Sequence, residues 1–191
     1  MANEGQAIAI NDKAHQAMLT HLKNTRHSAR DKAIYMFTYR AGLRIGSVAG
    51  LLLSDVVESG GELRKVLILR KDNNKSRKTI SVYINHPELQ EALKDWIKYR
   101  SDKKFLPLFY SQKGSAFSAN SLCQVMLKHY SNAGLEGYSS HSGRRGAISS
   151  WCKAGIDIVA VSKLAGHSSL NTTMRYIHHD QEELMDAIEK I

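Results

Sequence analysis

The chain has 191 residues, 42% of them apolar, with 27 Lys and Arg against 18 Asp and Glu for a formal charge of +9. That length predicts a single domain with a substantial core, and no apolar run reaches the roughly 18 residues that a membrane-spanning helix needs. Two cysteines in no metal or redox spacing, 13 glycines and 2 prolines exclude a disulfide-stapled scaffold, a cysteine-rich zinc fold and collagenous or proline-rich classes.

Asn11 is placed to cap a first helix carrying Ala14, Met18 and Leu22. Ser28 and Asp31 have the spacing of a capping box opening a helix through Tyr39, which Gly42 stops. A short apolar turn, Val48 to Leu53, ends at Ser54 and Asp55. The period then changes. Residues 63–69 and 79–84 are rich in Val, Ile, Leu and Tyr and flank the polar stretch Lys71 to Arg77, which predicts a β-hairpin with a basic, Asn-rich tip. Helices resume at Pro87, suited to a first helical position, with Leu89, Leu93, Trp96 and Ile97 on one face. Three more are predicted with glycine stops: Ser118 to Ala133, His141 to Ala154, and Asp157 to Ala165. Asn171 is placed to cap a short helix containing Tyr176, and a last, acidic helix is predicted from about Gln181. The expected fold is mainly α with one small antiparallel sheet, a single domain over residues 1–191.

The charge is uneven. Residues 1–180 carry a net +12 and residues 181–191 a net −3. Within 64–78 seven residues are basic and only Asp72 is acidic. Such a body suits a polyanionic partner, nucleic acid being the commonest, although a basic face also serves solubility.

Individual residues admit two readings. His141 and Arg144 stand three apart at the start of a helix, where side chains share a face and backbone N–H groups favour an anion. Arg44 follows Gly42, so its guanidinium either meets a phosphate or satisfies helix-end carbonyls. His167 projects from a predicted helix stop, Tyr176 is one of eight tyrosines, and Lys71 and Lys75 lie in the hairpin tip. The adjacent His178 and His179 have no carboxylate at ligand spacing and make a poor metal site. No Gly-rich phosphate loop, H-E-x-x-H or G-x-S-x-G motif occurs. Neither a metal nor a cofactor is expected.

Taken in order, AGLRIGSVAGLLLSDV (41–56), the lysine-tipped hairpin, HSGRRGAISSW (141–151) and LAGHSSLNTTMRYIHHD (164–180) resemble the catalytic domain of the tyrosine recombinases, the phage integrase family. The resemblance runs from about Asn11 to the C-terminus. It implies a site-specific recombinase or integrase of a mobile element that cuts and rejoins double-stranded DNA through a 3′-phosphotyrosyl intermediate. Tyr176 matches the nucleophile. Arg44 and Arg144 match the two arginines that grip the non-bridging oxygens, where transition-state charge develops. His141 matches a proton-handling position and His167 a phosphate-bonding one. Of the hairpin lysines, Lys71 fits best the group that protonates the departing 5′ oxygen, with Lys75 close behind. Lys75, Arg77, Lys78 and Arg145 are expected to contact DNA. The phosphotyrosyl bond conserves the energy of the broken linkage, so rejoining needs no ATP.

The resemblance also implies partner protomers in a synaptic tetramer, accessory DNA-binding proteins, and a cytoplasmic, nucleoid-associated location. The acidic terminal segment resembles the family's exchanged C-terminal helix, although packing on its own core suits it equally. Three departures stand out. Ser47 occupies a position that is often acidic in the family, Arg145 one that is commonly His, and only about 40 residues precede Arg44 in place of the usual N-terminal DNA-clamping domain. The chain then reads as a single-domain recombinase or a catalytic fragment. The alternative function is a catalytically silent DNA-binding regulator of the same fold; a topoisomerase shares the tyrosine chemistry without strand exchange.

Overall fold

The computed structural model describes residues 7–73, 79–100 and 106–176. Asn11 caps α1 (Asp12–Lys23), its side chain accepting from the Ala14 N–H, and Ala14, Met18 and Leu22 are buried. The next helix, α2 (Ser28–Tyr39), differs from expectation at its start. His27 is the N-cap, with no side-chain cap bond. Asp31 is instead drawn inward, where it accepts from Arg30 Nε at 2.8 Å and pairs with His129 Nε2 at 3.0 Å. Burial on every side explains the change, because a charge removed from water must find partners. Residues Ala33 to Tyr39 are all buried, so α2 is the axis of the fold.

Two short helices follow, α3 (Ile45–Ala49) and α4 (Leu53–Val56), where the sequence suggests a single apolar turn. Strands β1 (Val66–Leu69) and β2 (Ile80–Tyr83) form an antiparallel pair with Val66 opposite Tyr83 and Leu69 opposite Ile80. The ladder is shorter than the predicted 63–69 and 79–84, since Leu63 makes an isolated bridge to Val57 instead. After β1, Lys71–Asn73 form a 3-10 turn. The amphipathic α5 (Pro87–Tyr99) buries Leu89, Leu93 and Trp96, and Trp96 donates to the Leu108 carbonyl at 2.9 Å.

Ser118 caps α6 (Ala119–Asn132) through the Ser121 N–H. Next come α7 (Ser142–Lys153) and α8 (Ile158–Ala165), which Asp157 caps and Gly166 stops at φ 61°. The last described helix is α9 (Leu170–Met174). Its N-cap is Ser169 rather than Asn171, and Tyr176 lies two residues beyond its end. The acidic helix expected from Gln181 lies outside the described residues. Helices α1, α3, α5 and α7 all pack against α2. Among the described residues, no helix is long and apolar enough to cross a membrane.

Candidate active site

The C-terminal end of α2 begins the site. Gly42 takes a left-handed φ of 63°, and a Cβ there would stand 2.6 Å from the Trp151 ring of α7. Only glycine both makes this turn and lets the indole close on it. Arg44 follows as the extended N-cap of α3. Its half-buried guanidinium has neither a hydrogen bond nor an ion pair to any described residue, so it does not serve helix-end carbonyls.

Arg144 is different. It sits in the first turn of α7, 6% exposed, and donates through Nη1 to the Gly42 carbonyl and through Nη2 to the Ala165 carbonyl at 2.7 Å. One guanidinium thus braces the α2 exit against the α8 exit. Burial pushes its pKa down to about 10, and Arg44 adds repulsion. A guanidinium held this way is preorganised, with little rotamer freedom left to lose.

The Gly166 turn places His167 beside these cations. Its Nδ1 lies 2.9 Å from Oγ1 of Thr173, a residue with no exposed surface. Burial first, then Arg144 and Arg44, push the His167 pKa down to about 4, so the ring is neutral at pH 7. When Thr173 donates to Nδ1, the ring proton resides on Nε2, leaving a neutral N–H donor. The Tyr176 ring stacks on His167 with centroids 5.9 Å apart and planes at 23°. The Arg145 guanidinium also stands over this ring, 5.5 Å from the Tyr176 centroid.

Arg44, His141, Arg144, Arg145, His167 and Tyr176, six of the residues expected at the site, line one cavity of about 360 Å³. Ser139, Thr172 and Arg175 join them, and among the described residues no carboxylate does. Arg175 is not among the residues expected at the site; its place next to Tyr176 is the one signal for it in the sequence. Thr173 has no role that the sequence alone reveals, because a buried threonine looks like any other until its partner is known. A larger concavity of about 730 Å³ lies at the opposite end of α2, where Asp95 stands among Lys23, Lys32 and Lys98 in the lining. Lys71 does not reach the arginine-lined cavity: it is exposed on the 3-10 turn after β1. Lys75, Arg77 and Lys78 lie outside the described residues.

The four arginines, with no carboxylate among the described lining residues, repel one another until an anion arrives. An oxyanion such as phosphate is the complement of this cavity, and the phenol beside it is a nucleophile once its proton is removed.

A model of the phage integrase family matches residues 9–183. The chain belongs to the phage integrase family. Among curated relatives, it is 32% identical over 169 residues to a tyrosine recombinase XerC of Caldanaerobacter subterraneus subsp. tengcongensis, covering 84% of this chain and 44% of that protein. A XerC of Pelobacter propionicus is 27% identical over 181 residues, covering 94% of this chain and 57% of the relative. This phage integrase chain therefore spans about half the length of the curated relatives it matches. Among solved structures, the XerA recombinase superposes with a TM-score of 0.77 at 20% identity, over 97% of this chain and 65% of that one. The Tn1549 transposon integrase in complex with a circular intermediate DNA superposes at 0.79 with 16% identity, over 100% and 68%. These likenesses establish the tyrosine recombinase catalytic-domain fold: mostly helical, with a two-stranded antiparallel sheet.

Proposed function

We propose that this chain is the catalytic part of a site-specific DNA recombinase that cleaves and rejoins DNA through a 3′-phosphotyrosyl intermediate. The observation that carries the reading is a tyrosine set among four arginines and two histidines in one cavity, with no carboxylate among its described lining residues. Family membership and the names of the relatives, tyrosine recombinases, support it. The proposed partners are double-stranded DNA, further protomers assembled into a synaptic tetramer, and accessory DNA-binding proteins. The proposed location is cytoplasmic, on the nucleoid when DNA is bound.

In the proposed step the Tyr176 oxygen attacks a backbone phosphorus and gives up its proton, His141 handling it at the mouth of the cavity. The bond from phosphorus to the 5′ oxygen breaks, and that oxygen takes a proton from the hairpin lysine, Lys71. Arg44 and Arg144 hold the two non-bridging oxygens, and His167 donates its Nε2 proton to one of them. Arg44 and Arg144 line the cavity before the reaction, so neither must travel to it as charge builds. Attack by a 5′-hydroxyl on the phosphotyrosyl bond reverses the balance and reseals the strand. Arg145, together with Lys75, Arg77 and Lys78, contributes DNA-backbone contacts.

The test is covalent capture. The protein is incubated with nicked duplexes in EDTA, denatured in SDS, and any attached DNA is sequenced. An adduct that disappears in Tyr176→Phe, with DNA binding retained, is expected. A wild-type-like adduct in the variant would remove Tyr176 from the role, and binding without any adduct would favour the silent regulator.

A further inference from the structure

Thr173 lies in α9, three residues before Tyr176, with no exposed surface. A helical threonine commonly donates its hydroxyl proton to a carbonyl one turn back. Thr173 does not. Among the described residues, the one hydrogen-bond partner of its Oγ1 is His167 Nδ1, at 2.9 Å. The hydroxyl is shielded from water, so its proton goes to Nδ1 or is left unsatisfied, and an unsatisfied buried donor is costly. Nδ1 is therefore the acceptor. The ring, neutral at pH 7, then carries its single proton on Nε2.

The same threonine also reaches the nucleophile. Its carbonyl accepts from the Tyr176 N–H at 2.9 Å, and the Tyr176 ring stacks on the His167 ring. His167 is held from its other end by α8, where its own N–H donates to the Ser162 carbonyl at 3.0 Å. Thr173 thus joins the exit of α8 to the turn that carries Tyr176, by its side chain on one side and its backbone on the other. The neighbouring Thr172 is exposed and lines the cavity. One threonine faces the cavity, and the other holds a ring that faces it.

We infer that Thr173 is a positioning residue that fixes the His167 ring, against Tyr176, as the Nε2–H tautomer. This role rests on the proposed cleavage reaction, in which that N–H meets a non-bridging phosphate oxygen. The physical reason is that the ring has two nitrogens and one proton. The opposite tautomer would turn a lone pair toward an oxygen that gains negative charge in the transition state, so a stabilising donor would become a source of repulsion.

The test has one arm that needs no DNA. Long-range proton–nitrogen NMR spectra of the wild-type protein at pH 7 should show an unprotonated Nδ1 and a protonated Nε2 for His167, assigned by the signals that vanish in His167→Gln. A protonated Nδ1 would overturn the inference. The second arm times adduct formation on nicked duplexes. Thr173→Val, nearly isosteric but without the hydroxyl, should lose about 10- to 100-fold, a share of what a preorganised donor is worth, while Thr173→Ser stays within about threefold of wild type. In a His167→Ala background, Thr173→Val should cost less than about twofold more, because a residue that acts through the ring has nothing left to act on.

An undiminished loss in that background would overturn the inference, since Thr173 would then serve the fold of α9 instead of His167. A Thr173→Val protein as fast as wild type would overturn it too, as would a Thr173→Ser protein as slow as Thr173→Val. If the wild-type protein forms no adduct, the cleavage reading fails and the role in cleavage falls with it; the ring spectra still decide whether Thr173 sets the tautomer.

Discussion

His167 carries a stability signature that can be read without DNA. Its pKa in the fold is about 4, against the ordinary 6.5 of an exposed imidazole, because it is buried beside Arg144 and Arg44. The unfolded chain therefore binds more protons than the folded one in that interval. Stability is full above about pH 6.5 and is lost as pH falls from there toward 4. Wild-type protein should lose more unfolding free energy between pH 7 and pH 5 than His167→Gln does, as measured by urea titration. Equal losses would mean that the ring does not titrate between those limits. A bound phosphate answers the two arginines and should move the same ring's pKa upward, visible in its NMR shifts.

Among the elements, α7 matters most, since it presents Arg144 and Arg145 while lying on α2. Close approach comes from two glycines. At Gly146 an added Cβ would meet the Ile10 carbonyl at 2.7 Å and the Tyr39 ring at 3.1 Å; at Gly143 it would collide with Thr38 Oγ1. Gly146→Ala should destabilise the protein by about 1–3 kcal/mol, the usual range for overpacking, and should lower the urea midpoint accordingly. The same outward shift would pull Arg144 from the Gly42 and Ala165 carbonyls, so adduct formation should fall further than stability alone explains. An unchanged midpoint would show that α7 has slack against α2.

Element ends were the best-written part of the sequence. Asn11, Ser118 and Asp157 cap as their side chains suggest, Pro87 stands at a helix start, and Gly42 and Gly166 make the left-handed exits that bring Arg44 and His167 to the site. The Ser28–Asp31 spacing misleads because local capping loses to tertiary demand: Asp31 is buried and answers its neighbour Arg30 and the distant His129, the latter invisible to a local pattern. Asn171 misled for a milder reason, as Ser169, two residues earlier, already begins the turn. The residues of the cavity were recognisable as an ordered series of motifs. The reciprocal hydrogen bonds between Ser47 and Asn73 were not, because the two lie 26 residues apart and neither is unusual by itself.

At the scale of the whole molecule, positive charge decides how the chain meets a polyanion. The net charge is +9, and the six positively charged or titratable bases around the cavity face no carboxylate among its described lining residues. DNA affinity should fall linearly in log–log form with salt, each neutralised phosphate contributing a slope of about −0.9. Arg145→Ala should lower that slope by about one such unit while leaving sequence preference unchanged, since backbone contacts carry no base information. A salt-independent affinity, measured by fluorescence anisotropy from 50 to 300 mM, would place DNA binding away from this face.

Arg144 has two occupations, and they have different beneficiaries. Its guanidinium faces the cavity, yet it also satisfies two buried backbone carbonyls from opposite halves of the chain. Stripping it away would orphan both, at about 1–3 kcal/mol each. Tyr176 and Arg44 carry no comparable duty to the fold. A lineage that abandoned catalysis but kept its shape and its hold on DNA would therefore shed Tyr176 or Arg44 early and Arg144 last. The arginine in such a descendant would be a relic of architecture, and its presence alone would be no sign of a living enzyme.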